Sequence, residues 1–471
     1  MPEKIALNGV DLTTGGYLAA QLDENMLARE ILKLAAPAGV LKELLEKLEL
    51  ERQLERFGPP SEMPENSGWG VVFQHGCAAD VRHAVEGILV AHRRTHIDPR
   101  LVKVFERRPD ETAVGWLTRH DVAMGALDEA KIPYYLLLVG GPEQIPYSFE
   151  NVLKPRYAVG RIQFDTADDY QRYCAGVETY EKTTVPVRSK EIVYWATRYK
   201  EDKQTELSEE HLIGKLCAGF GESGSAQKRP LAARCGFAAN EFRAENATKT
   251  ALHDALHPKA GKLGPALLFT ASHGLGAPGS ADQRNLQGAL LCAPPGGGAV
   301  PRAHYFCADD LNPNANLSGL VAFMFGCFSA GTPRRHAYEL DKVKDCSADP
   351  PFMAALPKKM LCQPGGPALA VIGHVDRAWS YALKAPGVSE SPIVFWRCVN
   401  DLMGAYPVGY AHHHFMKSYT HLSAYLTQVI NNEVPMPTPK GLARKWLERN
   451  DAQGYAILGD PAIRLRDEAM A

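Results

Sequence analysis

The feature that most constrains the fold is a set of short runs that are almost entirely apolar. Four of them, at residues 134–140, 266–274, 320–327 and 367–375, read YYLLLVG, ALLFTASHG, LVAFMFGC and PALAVIGHV. A strand with one face in water alternates apolar and polar residues, so these runs predict strands that are buried on both faces. Such strands are typical of a parallel sheet covered by helices.

The order of the predicted elements indicates the fold class. From residue 69 onward, predicted strands alternate with predicted helices in two successive series. This pattern predicts an α/β protein with mostly parallel sheets and helices on both faces. We expect an N-terminal helical segment over residues 1–66, a proximal α/β subdomain over 69–186 and a second, catalytic α/β subdomain over 187–471.

Composition narrows the choice of partners and of compartment. The 471 residues carry a formal net charge of −2, which gives no electrostatic reason to expect nucleic acid or an anionic membrane surface as a partner. No apolar run reaches the roughly 18–20 residues of a membrane span, and the first residues lack the pattern of a signal peptide. The ten cysteines contain no C-x-x-C pair. We therefore expect free thiols and a cytoplasmic location.

Two of the apolar strands end in residues suited to nucleophilic catalysis. The run at 266–274 ends in His273 and Gly274, and the run at 320–327 ends in Cys327, which comes 54 positions after the histidine. Ligands of open α/β sheets bind outside the carboxyl ends of strands. A histidine can convert a thiol to the reactive thiolate, and the backbone N–H groups of Gly274 and Cys327 can hold an oxyanion.

Several separated segments resemble one known family. The spacing of His273 and Cys327 is similar to that of caspase-fold peptidases, in which the histidine precedes the cysteine by about 50 residues. Residues 134–153, 157–181 and 455–465 read YYLLLVGGPEQIPYSFENVL, YAVGRIQFDTADDYQRYCAGVETYE and YAILGDPAIRL, and they resemble gingipains, a family of that clan. The resemblance implies a caspase-like fold and a cysteine endopeptidase that uses His273 and Cys327.

The same resemblance implies residues that bind the substrate. The acid at the base of the S1 pocket falls on Glu150, with Asp376 as a second candidate, and the aromatic wall of that pocket falls on Trp379. An acid there would select Arg or Lys at P1 by charge pairing. The chemistry requires no cofactor and no metal, although some relatives bind calcium. A protein or peptide substrate and a regulatory protein or ligand are the expected partners.

Other interpretations of the same residues stay open. A single cysteine at a strand end is more often structural than catalytic, and so is a single His-Gly pair. A caspase-fold scaffold without proteolysis, or a transpeptidase or ligase that uses the same nucleophile, would carry the same two residues. His75 beside Cys77, and the run His412–His414, are interpreted as structural, because neighbouring residues of one strand or helix point in different directions.

Overall fold

The fold is that of a computed structural model. It describes residues 4–5, 9–17, 22–23, 62–123, 127–219, 230–294, 298–337, 345–379, 383 and 392–471. Most of the predicted N-terminal helical segment lies outside the described residues. The part at residues 9–17 contains a short strand, Val10–Asp11, rather than a helix. No helix in the described ranges is long and apolar enough to cross a membrane.

A ten-stranded sheet forms the centre of the molecule. Its strands, in chain order, are β1 (Trp69–Phe73), β2 (Val102–Glu106), β3 (Tyr135–Val139), β4 (Ala158–Ile162), β5 (Ser189–Ala196), β6 (Ala238–Arg243), β7 (Pro265–Ala271), β8 (Val321–Phe325), β9 (Ala370–His374) and β10 (Tyr455–Gly459). Strands β1, β3, β4, β7, β8, β9 and β10 are buried along their whole length, as their apolar composition predicts. The sequence analysis did not predict β2, a mixed-polarity strand at the edge of the sheet.

The strand order is β2-β1-β3-β4-β10-β9-β8-β7-β5-β6. Every neighbouring pair is parallel except β9 with β10, which is antiparallel. The predicted mostly parallel α/β fold is therefore confirmed. The two series of strands do not form separate sheets, because the C-terminal strand β10 pairs with β4 on one side and with β9 on the other. The boundary between the proposed subdomains stays a prediction.

The single antiparallel pair fixes which strand ends can share a site. Strand β10 runs parallel to β4 and antiparallel to β9, so the two halves of the sheet run in opposite directions. The carboxyl ends of β1 to β4 therefore lie at one edge of the sheet, and those of β5 to β9 lie at the opposite edge. His273 and Cys327 follow β7 and β8. Only the exits of β5 to β9 can therefore contribute to the same site.

Helices flank the sheet and complete the core. Among the described residues, the helices longer than ten residues are α1 (Ala167–Lys182), α2 (Ile393–Met403), α3 (Val408–Ile430) and α4 (Pro439–Gly454). Helix α1 begins at Thr166, whose side chain accepts a hydrogen bond from the N–H of Asp169, which satisfies a backbone donor at the start of the helix. One continuous cluster of buried apolar side chains joins α1, α2 and α3 to the sheet, and a smaller cluster packs α4 against α3.

Candidate active site

The structure places His273 and Cys327 at the same level on neighbouring parallel strands. Ala271 of β7 pairs with Phe325 of β8, and each candidate residue follows two positions later. The backbones approach closely, because a Cβ atom on Gly274 would lie 1.9 Å from the carbonyl oxygen of Cys327. Only glycine fits at this position. The two strands are neighbours in the sheet and run parallel, so both residues leave it at the same end.

His273 is fully buried, and both of its ring nitrogens have partners. Nε2 lies 2.8 Å from Oδ2 of Asp202, and Nδ1 accepts a hydrogen bond of 3.0 Å from the backbone N–H of Gly9. A carboxylate only accepts and a backbone N–H only donates, so this network assigns the ring proton to Nε2 and leaves Nδ1 as the base. The imidazole is thus in the tautomer that can take a proton from a thiol.

Asp202 is a candidate site residue that the sequence analysis missed. It follows β5 and caps the helix Lys203–Leu207, because Oδ1 accepts from the N–H groups of Gln204 and Thr205. Its other oxygen is then free to hold His273. An acid after a strand of the same series could have suggested a partner for His273. The same pattern also predicts an ordinary helix cap.

The charge of Asp202 is stabilised within the site. Burial by itself raises the pKa of this carboxyl, but the proximity of His273, its hydrogen bond, and further hydrogen bonds from Thr205 and Tyr17 outweigh burial. The net pKa of Asp202 therefore lies below its ordinary value. An ionised carboxylate beside Nε2 favours the imidazolium that forms when Nδ1 accepts a proton.

Cys327 is closed off from solvent in this conformation. Its side chain has no exposed surface and packs with Phe328 and Cys346. Sγ lies 3.8 Å from the carbonyl oxygen of Ala378, to which the thiol donates. Burial raises the pKa of Cys327 far above its usual range, with smaller contributions from neighbouring groups. The raised pKa favours the protonated thiol, and its buried side chain has to be exposed before it can react.

Two backbone N–H groups beside the thiol are available as donors. Among the hydrogen bonds of the described residues, neither the N–H of Gly274 nor that of Cys327 has an acceptor. The amide nitrogen of Cys327 would lie 2.8 Å from a Cβ on Gly274, so the two amides are close neighbours. Unpaired buried N–H groups are rare in native structures, and a pair next to a nucleophile is suited to binding an oxyanion.

Asp376 lies close to the nucleophile through its backbone. Its carbonyl oxygen accepts the N–H of Phe328 at 2.7 Å. Its carboxylate accepts from Nδ1 of His336 at 2.6 Å and from the N–H groups of Ala337 and Arg377. Burial raises its pKa, but His336 and Arg377 lower it more, and the net pKa is lowered. The structure places this acid near the site but already paired.

Trp379 also lies beside Cys327, since it directly follows Ala378, whose carbonyl oxygen accepts the hydrogen bond of the thiol. Its indole is buried, and its backbone N–H donates to Oδ1 of Asp451 at 2.8 Å. Burial raises the pKa of Asp451 to about 8 and lowers that of His374, whose Nε2 is 3.6 Å away, to about 4. The two buried side chains are therefore both uncharged near neutral pH.

Glu150 lies in a buried ion pair and does not follow any of the strands β5 to β9, whose exits lie on the side of His273 and Cys327. Its Oε2 accepts from two nitrogens of Arg161, at 3.1 and 3.0 Å, and Nζ of Lys154 lies 3.7 Å from its other oxygen. All three side chains are at most 2% exposed. The negative charge is thus compensated within the core, and this geometry gives no support to Glu150 as the S1 acid.

The remaining histidines that the sequence singled out have structural partners. His75 is exposed and pairs with Glu106, His412 contacts the carbonyl oxygen of Tyr455, and His414 pairs with Asp401. Across the described ranges, no group of three or more His, Cys, Asp or Glu side chains is placed to hold a metal ion.

No model of a known protein family matches the chain, and no curated protein matches it either. Among solved structures it is similar to the Arg-specific cysteine proteinase gingipain R, with a TM-score of 0.46 and 12% identity over 87% of this chain and 80% of that one. The complex of Porphyromonas gingivalis RgpB pro- and mature domains gives 0.46 and 11%, over 85% and 80%.

A second group of solved structures matches the chain at a lower score. Separase, in the Saccharomyces cerevisiae separase–securin complex, has a TM-score of 0.32 and 10% identity, over 70% of this chain and 16% of that one. The predicted likeness to gingipains is thus found among solved structures. The functional argument below rests on the site itself.

Proposed function

We propose that this chain is a cysteine endopeptidase in which Cys327 is the nucleophile, His273 the base and acid, and Asp202 the residue that orients the histidine. The observation that carries the proposal is the Asp202–His273 pair at the exit of the strand next to that of Cys327. Nucleophilic sites need a nucleophile, a base and a group that orients the base, and these three residues come from the exits of β5, β7 and β8.

The proposed reaction begins with proton transfer from the Cys327 thiol to Nδ1 of His273. The thiolate attacks the carbonyl carbon of the peptide bond, and the N–H groups of Gly274 and Cys327 bind the oxyanion. The C–N bond then breaks, and Nδ1 returns the proton to the leaving amine. Water attacks the thioester in the same way, which releases the carboxylic acid and restores the thiol.

The closed conformation of Cys327 favours a regulated enzyme and also keeps one rival function open. A thiol with no exposed surface and a raised pKa is not reactive as it stands. A caspase-fold scaffold without proteolysis would have no need to expose it. The two functions differ in a measurable property, because only a peptidase has a state in which Cys327 reacts with electrophiles and with substrate.

The preference for Arg or Lys at P1 stays a prediction. It needs a carboxylate that is free to pair with the substrate, whereas Glu150 is bound to Arg161 and Asp376 to His336. Of the two acids, Asp376 is the better candidate, because its carbonyl oxygen accepts the N–H of Phe328, the residue after Cys327. Trp379 directly follows Ala378, whose carbonyl oxygen accepts the hydrogen bond of the Cys327 thiol, and we assign it to the wall of the substrate cleft.

The first experiment is a panel of fluorogenic peptides that differ at P1, tested on the wild-type chain and on Cys327→Ala. Cleavage that disappears in the variant establishes the nucleophile, and its dependence on P1 gives the specificity. Adding an excess of an amine acceptor separates hydrolysis from peptide transfer. If neither the panel nor a thiol-reactive probe detects Cys327 under any condition, the peptidase proposal is wrong and the scaffold remains.

A further inference from the structure

An N-terminal segment, residues 9–17, crosses the candidate site and is bound to it by backbone hydrogen bonds. Its short strand, Val10–Asp11, pairs in parallel with Leu275–Gly276, the residues that directly follow His273 and Gly274. The N–H of Val10 donates to Gly274 at 3.3 Å, and that of Leu12 donates to Gly276 at 2.8 Å. The segment therefore adds a strand to the exposed edge of the catalytic loop.

The opposite side of the segment is paired as well. The N–H of Val300 donates to the carbonyl oxygen of Leu12 at 2.8 Å, and that of Gly298 donates to Thr14 at 3.0 Å. The segment thus lies between two stretches of chain that form a cleft with hydrogen-bonding groups on both walls. Such a cleft is suited to an extended peptide, since its main-chain contacts do not depend on sequence.

The first residue of the segment lies where the leaving group of a substrate would be. The backbone nitrogen of Gly9 is 3.0 Å from Nδ1 of His273, the atom that has to hand its proton to the nitrogen of the cleaved peptide bond. No substrate amide can reach Nδ1 while Gly9 is there. The backbone of Gly9 has a φ of 108°, which side-chain-bearing residues rarely adopt, so glycine is needed for this approach.

The next residue fills an apolar pocket. Val10 has no exposed surface and packs in a cluster with Leu275, Leu291, Val300 and Tyr305. These residues belong to the two walls of the cleft and to the hairpin beside them. A side chain at this position is therefore selected by apolar contact, and a charged one would have to enter the pocket without a partner.

The far end of the segment returns to the catalytic pair. The carboxylate of Asp11 accepts from the N–H groups of Thr13 and Thr14 and closes a tight turn. Tyr17, which bridges back to Val10, places its ring edge-on to His273 with 5.5 Å between ring centroids. Burial and its hydrogen bond to Asp202 raise the pKa of this tyrosine. Both ends of the segment thus cover His273.

We propose that the cleft between Leu275–Gly276 and Gly298–Val300 is the primed-side subsite of the peptidase, and that residues 9–17 are its built-in occupant. The ligand is a peptide that adds as a parallel strand over the stretch that corresponds to Gly9–Leu12. The residue after the scissile bond has its amide at His273, as Gly9 does, and the following residue is apolar, as Val10 is. This inference rests on the proposed function, because it defines the leaving-group side by the role of His273.

The occupied cleft makes the chain latent. A substrate has to displace residues 9–17 before its amide can reach Nδ1, and an intramolecular segment competes at a high effective concentration. Displacing the segment is therefore expected to open the subsite both to substrate and to a free peptide of the same sequence. The two effects can be measured separately.

The test uses the full-length chain with Val10→Asp, which places a charge in the apolar pocket. Val185→Asp is the matched control, since Val185 is 61% exposed and belongs to a loop outside the site. The probe is a fluorescein-labelled peptide, GVDLTTGGY, with the sequence of residues 9–17, and binding is measured by fluorescence anisotropy. A second variant, Gly9→Pro, removes the N–H donor and is incompatible with the backbone angle of the segment.

We expect Val10→Asp and Gly9→Pro to bind the peptide at least tenfold more tightly than the wild type and the control, which keep the cleft filled. A peptide with Asp in place of its valine should not bind. In the same variants, kcat/KM for a peptide substrate should rise at least tenfold. Equal peptide affinity in all four proteins overturns the inference.

The outcome for the proposed function is read separately. If the two variants bind the peptide but show no hydrolysis that depends on Cys327, the strand-binding cleft stands and the peptidase proposal fails. If hydrolysis depends on Cys327 but neither variant changes peptide affinity or kcat/KM, the peptidase stands and the assignment of residues 9–17 is wrong.

Discussion

The substitution Asp202→Asn tests most directly the proposed role of Asp202 in orienting His273. Oδ1 of Asp202 is held by the N–H groups of Gln204 and Thr205, so an asparagine would keep its oxygen there and turn its amide nitrogen toward His273. Nε2 would then have to accept a hydrogen bond, and the ring proton would move to Nδ1. The neutral imidazole could no longer take the proton of the thiol.

The expected loss follows from the contact that is removed. The Asp202–His273 hydrogen bond is 2.8 Å long and buried, and a hydrogen bond to a charged group contributes about 1.5–3 kcal/mol. At a tenfold change in rate for every 1.36 kcal/mol, this alone lowers the rate roughly 10- to 150-fold. Because the wrong tautomer adds to this loss, we expect kcat/KM to fall at least about 100-fold.

Folding should change little, because Asn caps a helix about as well as Asp. The assay is hydrolysis of the best peptide from the P1 panel, together with urea unfolding of each variant. The matched control is Asp310→Asn, which removes the same charge from a carboxylate that pairs with Lys249 and Arg302. A decrease in kcat with little change in KM indicates a role in the chemical step. A decrease of less than threefold, with the fold intact, would refute the reasoning.

Three further substitutions test other parts of the structure. Gly274→Ala places a Cβ 1.9 Å from a backbone oxygen of Cys327, so we expect loss of hydrolysis and a lower melting temperature; full activity in a turnover assay would contradict the close approach. With the pKa of Asp451 raised to about 8 and that of His374 lowered to about 4, the native pair and the unfolded chain each hold one proton between about pH 4 and 6.5. Above pH 6.5 only the native state keeps it, so the free energy of unfolding of the wild type should fall by about 2 kcal/mol up to pH 8. Asp451→Asn should remove this slope in urea titrations at each pH, and an unchanged slope would exclude the assignment. Glu150→Gln leaves its buried guanidinium partner uncompensated and should lower the free energy of unfolding by about 3–5 kcal/mol; a change in P1 preference without destabilisation would instead support an S1 role.

Local patterns were enough to predict much of the candidate site. The runs that end at His273 and Cys327 are almost entirely apolar, and burial on both faces is typical of central strands of a mostly parallel sheet. Once the two strands are neighbours, equal distances past the last paired residues place the side chains at one level. The glycine after the histidine follows for the same reason, because two backbones meet there.

Other parts of the site could not be predicted in this way. Asp202 looks like a helix cap in the sequence, and it is one, but its second oxygen is used by a residue 71 positions away. Glu150 follows a turn that resembles a substrate-binding segment, yet its charge is compensated by Arg161, whose position depends on the packing of a different strand. A charged residue does not indicate by itself which partner the fold will bring to it.

The sequence by itself determined the α/β class, the buried strands and the two residues at their exits, because hydrophobic periodicity is a local property that records which faces are covered. Only the tertiary structure decided that the two halves of the sheet run in opposite directions, which depends on the pairing of one C-terminal strand. It also decided that the backbone N–H of Gly9 donates to Nδ1 of His273, which lies 264 positions further along the chain. Such contacts are made by backbone groups, which are common to nearly all residues, so no pattern of residue types predicts them.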